Sequence, residues 1–145
     1  FHSILDVGTG SGVFAEAFYQ NGYEIVGVDA NPEFIPLAKK IAPQVQFIEG
    51  LAEALPFPDE SFDLVFMGLV FHETDNRLKA LQEAYRVTRF RLAILEWPYR
   101  IQESGPPIAH RVDRDEINRL ADQTGFSRIE VFELAHFLLY RLEKK

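Results

Sequence analysis

Short apolar runs alternate with amphipathic segments along most of this 145-residue chain, and that alternation limits the folds open to it. SILDV, EIVGVD, VQFIEG, SFDLVFMG and RLAILEW read as five buried strands. Helices are predicted between several of them. Ser11–Gln20 carries Val13, Phe14, Ala17 and Phe18 on one face, with Gly22 as its stop. The next helix follows Asn31 as cap and Pro32 as first residue, with an apolar stripe of Phe34, Ile35, Leu37, Ala38 and Ile41. LAEALPFPDE holds too much proline for a long helix and reads as a loop. Residues 76–88 repeat Leu78, Leu81 and Tyr85 at helical spacing. Asp113 and Glu116 form a capping box for a helix that ends at Thr124, stopped by Gly125. RIEVFEL and HFLLYRLE are two final strands whose turn, at Leu134 and Ala135, is too tight for anything but antiparallel pairing. The expectation is one α/β domain over residues 1–145, a doubly wound, mostly parallel sheet with helices on both faces.

Composition narrows the function. The net charge of −7 disfavours a broad nucleic-acid surface, although a local basic patch stays open. The chain has no cysteine, which removes disulfides, thiolate metal sites and cysteine nucleophiles and fits a reducing cytoplasm. No metal site is expected. No run of 18 apolar residues suggests a membrane span, and the opening residues do not read as a leader peptide.

In a doubly wound sheet, ligands bind beyond the carboxyl ends of the strands. DVGTGSG lies there, with Gly8, Gly10 and Gly12 at alternate positions, and its amides are expected to face the ligand. A dinucleotide loop reads G-x-G-x-x-G, but Val13 stands where its third glycine belongs. Asp29 closes the second strand, 21 positions after Gly8, where a carboxylate can accept from ribose hydroxyls; capping the next turn is the competing role.

ILDVGTGSG, VGVDANPEFI, LPFPDESFDLVF, LQEAYRV and LAILEW together resemble the successive motifs of class I S-adenosylmethionine-dependent methyltransferases. The nearest subgroup is the small-molecule enzymes that resemble the ubiquinone and menaquinone biosynthesis methyltransferases. The resemblance implies a seven-stranded sheet of order 3-2-1-4-5-7-6 and S-adenosylmethionine as cofactor. It also implies a cofactor site of Asp6, Gly8, Thr9, Gly10, Gly12, Asp29, Ala30, Gly50, Leu51, Ala52 and Gly68. Asp6 would lie near the cofactor's ammonium, or else hold the amides of the loop. Ala30 would pack on the adenine.

Three departures stand out. Gly50-Leu51-Ala52 replaces the family's Gly-Asp-Ala, so the adenine loses an acceptor, and backbone near Ala52 or Glu53 would have to compensate. In RVTRFRLAILEW only Arg89 and Phe90 fill the family's Lys-Pro-Gly-Gly-like turn, so the turn is truncated or residues are missing there, the second being the expectation. The first strand starts almost at residue 1, so the helical lid that precedes it in relatives is expected to be absent.

Methyl transfer from a sulfonium needs alignment first, and a base only for a protonated acceptor. The loops after strands four and five offer His72 and Glu73, then Glu96, Trp97, Tyr99 and Arg100; His110 and Arg111 follow. His72, Tyr99 and His110 are the catalytic candidates, weighed against plain structural roles. Glu96 is expected to bind a loop amide or helix end, Trp97 and Tyr99 to pack or wall a flat acceptor, His2 and His136 to be structural, and Asp63 to organise the turn before strand four. The chain has no Asn-Pro-Pro-Tyr stretch. With the acidic charge, this points to a small-molecule acceptor, no nucleic acid and no membrane; a homodimer stays open. A nicotinamide-dependent oxidoreductase and a binding module without turnover are the alternatives.

Overall fold

The computed structural model describes residues 1–144. Its elements in chain order are β1 (Ser3–Val7), α1 (Val13–Gln20), β2 (Glu24–Asp29), α2 (Phe34–Ile41), β3 (Gln46–Glu49), β4 (Phe62–Gly68), α3 (Arg77–Val87), β5 (Thr88–Glu96), α4 (Arg114–Thr124), β6 (Arg128–Glu133) and β7 (Leu138–Glu143). The sheet order is β3-β2-β1-β4-β5-β7-β6, parallel except that β7 runs against both β5 and β6. This is the expected order, and the carboxyl ends of β1 to β5 open on one edge.

Two cores flank the sheet. One buries Val65, Met67, Leu92 and Ile94 under Leu81 and Ala84 of α3 and Ile117 of α4. The other packs Ile4, Ile25 and Phe47 against Ala15 of α1 and Ala38 of α2. Small residues at the contact let these helices approach the strands closely, which moves the buried face from where the large residues suggest. Val13 is 61% exposed and Ala17 is also outside, while Ala15 is buried. On α2, Phe34, Leu37 and Ile41 are exposed and Ala38 carries the packing. Pro32 precedes α2 in a turn where Asn31 Oδ1 accepts from the Glu33 amide at 3.0 Å.

Other ends follow their signals. Asn76 caps α3 by accepting from the Lys79 amide at 3.0 Å, and Gly125 ends α4 at φ 109°. Asp113 caps α4, but Glu116 completes no box; it pairs with Arg77 at 3.0 Å and ties α4 to α3. The connection before β5 is short. β5 starts directly after α3, and one extra residue is absorbed as a bulge between the pairs Phe62–Thr88 and Leu64–Arg91. The Thr88 hydroxyl accepts from the Arg91 amide across that bulge at 3.2 Å. Asp63 does not organise the preceding turn. It accepts from the His2 amide at 2.8 Å and pairs with Arg89 at 2.9 Å, which clamps the starts of β1, β4 and β5 and holds its carboxyl below the usual range.

Candidate functional site: an acidic cavity at the ends of β1 to β4

A cavity of about 370 Å³ opens at the carboxyl ends of the strands, within the range of small-molecule sites. One side is Val7 and Gly8 after β1, Asp29 and Ala30 after β2, and Gly50, Leu51, Ala52 and Glu53 after β3. The other is the segment after β4: Val70, Glu73, Thr74, Asp75, Asn76 and Lys79. Glu53 closes the far rim by accepting from the Asn76 amide at 3.3 Å.

The glycine loop answers to its neighbours more than to a ligand. The amides of Gly8 and Thr9 donate to the Val28 carbonyl at 2.8 and 3.0 Å. The Gly10 amide donates to Asp29 Oδ2 at 2.8 Å, and the Gly12 amide to the Thr9 carbonyl at 2.9 Å. These amides are therefore not aimed into the cavity, contrary to expectation. What needs bare backbone is side-chain approach. A Cβ on Gly8, at φ 71°, would lie 2.7 Å from Val70 Cγ1, across the cavity wall. At Gly12 it would meet Ala38 and Phe47 of the second core.

The sequence-predicted cofactor residues divide accordingly. Gly8, Asp29, Ala30, Gly50, Leu51 and Ala52 line the cavity. Asp6, Thr9, Gly10, Gly12 and Gly68 do not. Asp6 and Thr9 are 1% and 6% exposed behind the loop, joined by a 2.8 Å bond from the Thr9 hydroxyl to Asp6 Oδ2. Asp6 thus anchors a hydroxyl rather than the loop amides. Burial, opposed by the Thr9 bond and aided by the charge of Asp29, pushes its carboxyl up to about 7. Gly68 sits against the Phe14 and Phe66 rings, where a Cβ would meet them at 2.7–2.9 Å.

Asp29 caps the turn after β2 and also lines the cavity. Its two oxygens hold the Gly10 amide and, at 2.9 Å, the Asn31 amide, so it caps the turn. Each carboxylate oxygen retains further acceptor capacity beyond these two bonds.

The catalytic candidates are elsewhere. His72 does not line the cavity. Its side chain is 7% exposed, and Nδ1 lies 2.7 and 2.9 Å from the two oxygens of Glu96, itself 1% exposed. The His72 amide donates to the same carboxylate at 3.1 Å, as expected for Glu96. The Glu96 hydrogen bond outweighs burial and raises the His72 pKa. This dyad pins the end of β5 to the cavity-lining segment after β4. Tyr99 is 50% exposed and His110 is exposed, both on the loop after β5. Sequence reasoning missed Thr74, Asp75, Asn76 and Lys79 as cavity residues, because an N-cap and first helical turn carry no local mark of facing a ligand.

The chemistry of the lining is cationic in its preference. Asp29, Glu53, Glu73 and Asp75 face one ammonium, Lys79. With the Gly8, Thr9, Gly10 and Gly12 amides engaged, these carboxylates would repel a phosphate, while a cation would be drawn in.

The family described as Methyltransferase domain matches residues 5–91. An uncharacterized methyltransferase, YcgJ of Bacillus subtilis, is 39% identical over 93 residues, 61% of this chain and 37% of that protein. The demethylmenaquinone methyltransferase of Thermus thermophilus is 40% identical over 103 residues, 66% of this chain and 47% of that protein. The chain thus spans less than half the length of these curated relatives. The crystal structure of a SAM-dependent methyltransferase from Aquifex aeolicus superposes with TM-score 0.90 at 24% identity, covering 99% of this chain and 82% of that one. That of YcgJ gives TM-score 0.77 at 25% identity, covering 91% and 64%. Among the described residues no helix is long and apolar enough to cross a membrane. With its sheet order, its cavity and the match across most of the sheet, the chain belongs to the methyltransferase-domain family.

Proposed function

We propose that this chain forms the cofactor-binding and catalytic domain of an S-adenosylmethionine-dependent methyltransferase acting on a small molecule in the cytoplasm. The observation that carries the reading is the acidic cavity beside a loop whose Gly8, Thr9, Gly10 and Gly12 amides are internally engaged. S-adenosylmethionine has a sulfonium, an ammonium, one carboxylate and no phosphate, so its net charge is positive. Nicotinamide dinucleotides carry an anionic pyrophosphate, which these carboxylates oppose.

In this reading the Asp29 carboxylate accepts from the ribose hydroxyls while keeping the loop in place. Ala30, Leu51 and Ala52 supply an apolar wall for the adenine, and Glu53 is the acceptor available near Leu51. Bound S-adenosylmethionine supplies an electrophilic methyl whose leaving group is a neutral thioether. The protein's share is alignment and exclusion of water. His72 acts through position, holding Val70 and Glu73 in the wall through its bond to Glu96. The demethylmenaquinone names among the relatives support a small-molecule acceptor for this chain as well.

Calorimetry with S-adenosylmethionine, S-adenosylhomocysteine and NAD tests this. The first two are expected to bind with micromolar affinity and NAD not at all. NAD binding alone would overturn the reading. Binding without methyl transfer across a panel of phenols, quinols, amines and carboxylates would favour a module without turnover.

A further inference from the structure

α2 carries its large apolar residues on the outside. Its interior side is built from Ala38 and Ala42, both buried, while Phe34, Leu37 and Ile41 are 38–48% exposed. Spacings of three and four residues put these three on one stripe of the helix. A continuous apolar stripe open to water marks an interaction surface in a way that single exposed apolar residues do not. α1 adds to it. Gly12, where a Cβ would meet Ala38 at 3.1 Å, brings the two helices together, and the next residue, Val13, is exposed as well.

The order of residues along the stripe says what covers it. Glu33, at φ −65° and ψ −26°, continues the helical geometry one residue before Phe34. Glu33 and Lys40 then stand beside the stripe, two turns apart, and Phe34 and Ile41 stand on it with the same separation. The midpoints of the two pairs straddle Leu37. A two-fold axis at Leu37, with the helices antiparallel, therefore sets Phe34 of one copy on Ile41 of the other. It also sets Glu33 of one copy on Lys40 of the other, and each contact occurs twice. Opposite dipole ends of the two helices come together in the same arrangement. Parallel packing would instead oppose Glu33 to Glu33 and Lys40 to Lys40. Both charges are exposed, and among the described residues neither makes an ion pair within its own chain.

We propose that α2 is a two-fold interface through which two copies of this chain associate, packed antiparallel about Leu37. The face is about 12 Å long and about 10 Å wide, so each copy contributes less than the roughly 800 Å² of a standard interface. Association is accordingly reversible, with a dissociation constant on the order of 10–100 µM. None of Glu33, Phe34, Leu37, Lys40 and Ile41 lines the cavity at the strand ends, so this surface is separate from that site.

Sedimentation equilibrium of the chain from about 5 to about 300 µM tests this. Wild type is expected to pass from monomer to dimer across the range. Leu37→Asp, which puts a charge at the centre, should raise the dissociation constant at least about tenfold. Glu33→Lys and Lys40→Glu, which each create two like-charge contacts, should do the same, by about tenfold each. Glu33→Lys does so although it reduces the net charge of −7, a change that alone would favour association. An equimolar mixture of Glu33→Lys and Lys40→Glu should associate within about threefold of wild type, because each copy then meets only opposite charges on the other. The double variant Glu33→Lys/Lys40→Glu restores both pairs and should match the mixture. If Leu37→Asp loses its fold by circular dichroism, the charge reversals decide. A wild type that stays monomeric, single reversals that associate as wild type does, or a mixture no better than its components overturns the proposal.

Discussion

Replacing Asp6 by asparagine should flatten the stability of this protein across neutral pH. Asp6 is buried, its one hydrogen-bond donor is the Thr9 hydroxyl, and its carboxyl titrates near 7 instead of 3.8. Between those values the folded chain holds a proton that the unfolded chain has released. Stability from this group is therefore fully present below about pH 3.8 and is lost as pH rises through about 7. A difference of about three pH units, at about 1.4 kcal/mol each, is worth about 4 kcal/mol over the whole range, and about 3 kcal/mol of it falls between roughly pH 5 and pH 8. Asparagine keeps the shape and carries no charge at any pH. Urea denaturation of both proteins at the two pH values gives the double difference. His72, whose pKa Glu96 raises, keeps that partner in both proteins, so its contribution cancels. Wild type should lose about 3 kcal/mol more than Asp6→Asn, equivalent to roughly 6–12 °C in melting temperature. A double difference below about 1 kcal/mol would refute the claim that burial keeps Asp6 protonated.

Gly8→Ala should destabilise by about 2–4 kcal/mol, since φ 71° disfavours a side chain and Val70 Cγ1 stands 2.7 Å from the new Cβ; adding Val70→Ala should recover part of it in the same denaturation assay. Leu51→Asp should tighten S-adenosylhomocysteine binding roughly fivefold by calorimetry, from one restored hydrogen bond of about 1 kcal/mol; unchanged affinity would mean that the adenine edge lies elsewhere. Glu96→Gln should lower the His72 pKa, read by NMR titration of the ring. The stability His72 gains from Glu96, present below pH 6.5 and lost as pH rises through its raised folded pKa, should shrink with it.

The local signals that set the strands are strong in this chain. Short apolar-rich stretches, a glycine stop at Gly125 and a turn too short for a crossover at Leu134 determine element type and the antiparallel last pair. Motif order then points to the sheet order and to Asp29, Ala30 and Gly50–Ala52 at one cavity. Which face each helix buries was decided only in three dimensions. Val13, Phe34, Leu37 and Ile41 are apolar by composition, yet close helix–strand approach selected Ala15 and Ala38 for the interior. Side-chain direction was equally beyond local reading. His72 belongs to the right loop, but the Glu96 carboxylate, 24 positions away, turns it inward, and Arg111 gathers carbonyls from Pro98 to Pro106 into one wall. Period and spacing are properties of a chain segment, so sequence could determine them. Partner choice across the sheet depends on which distant groups meet, and that is fixed only when the strands pair.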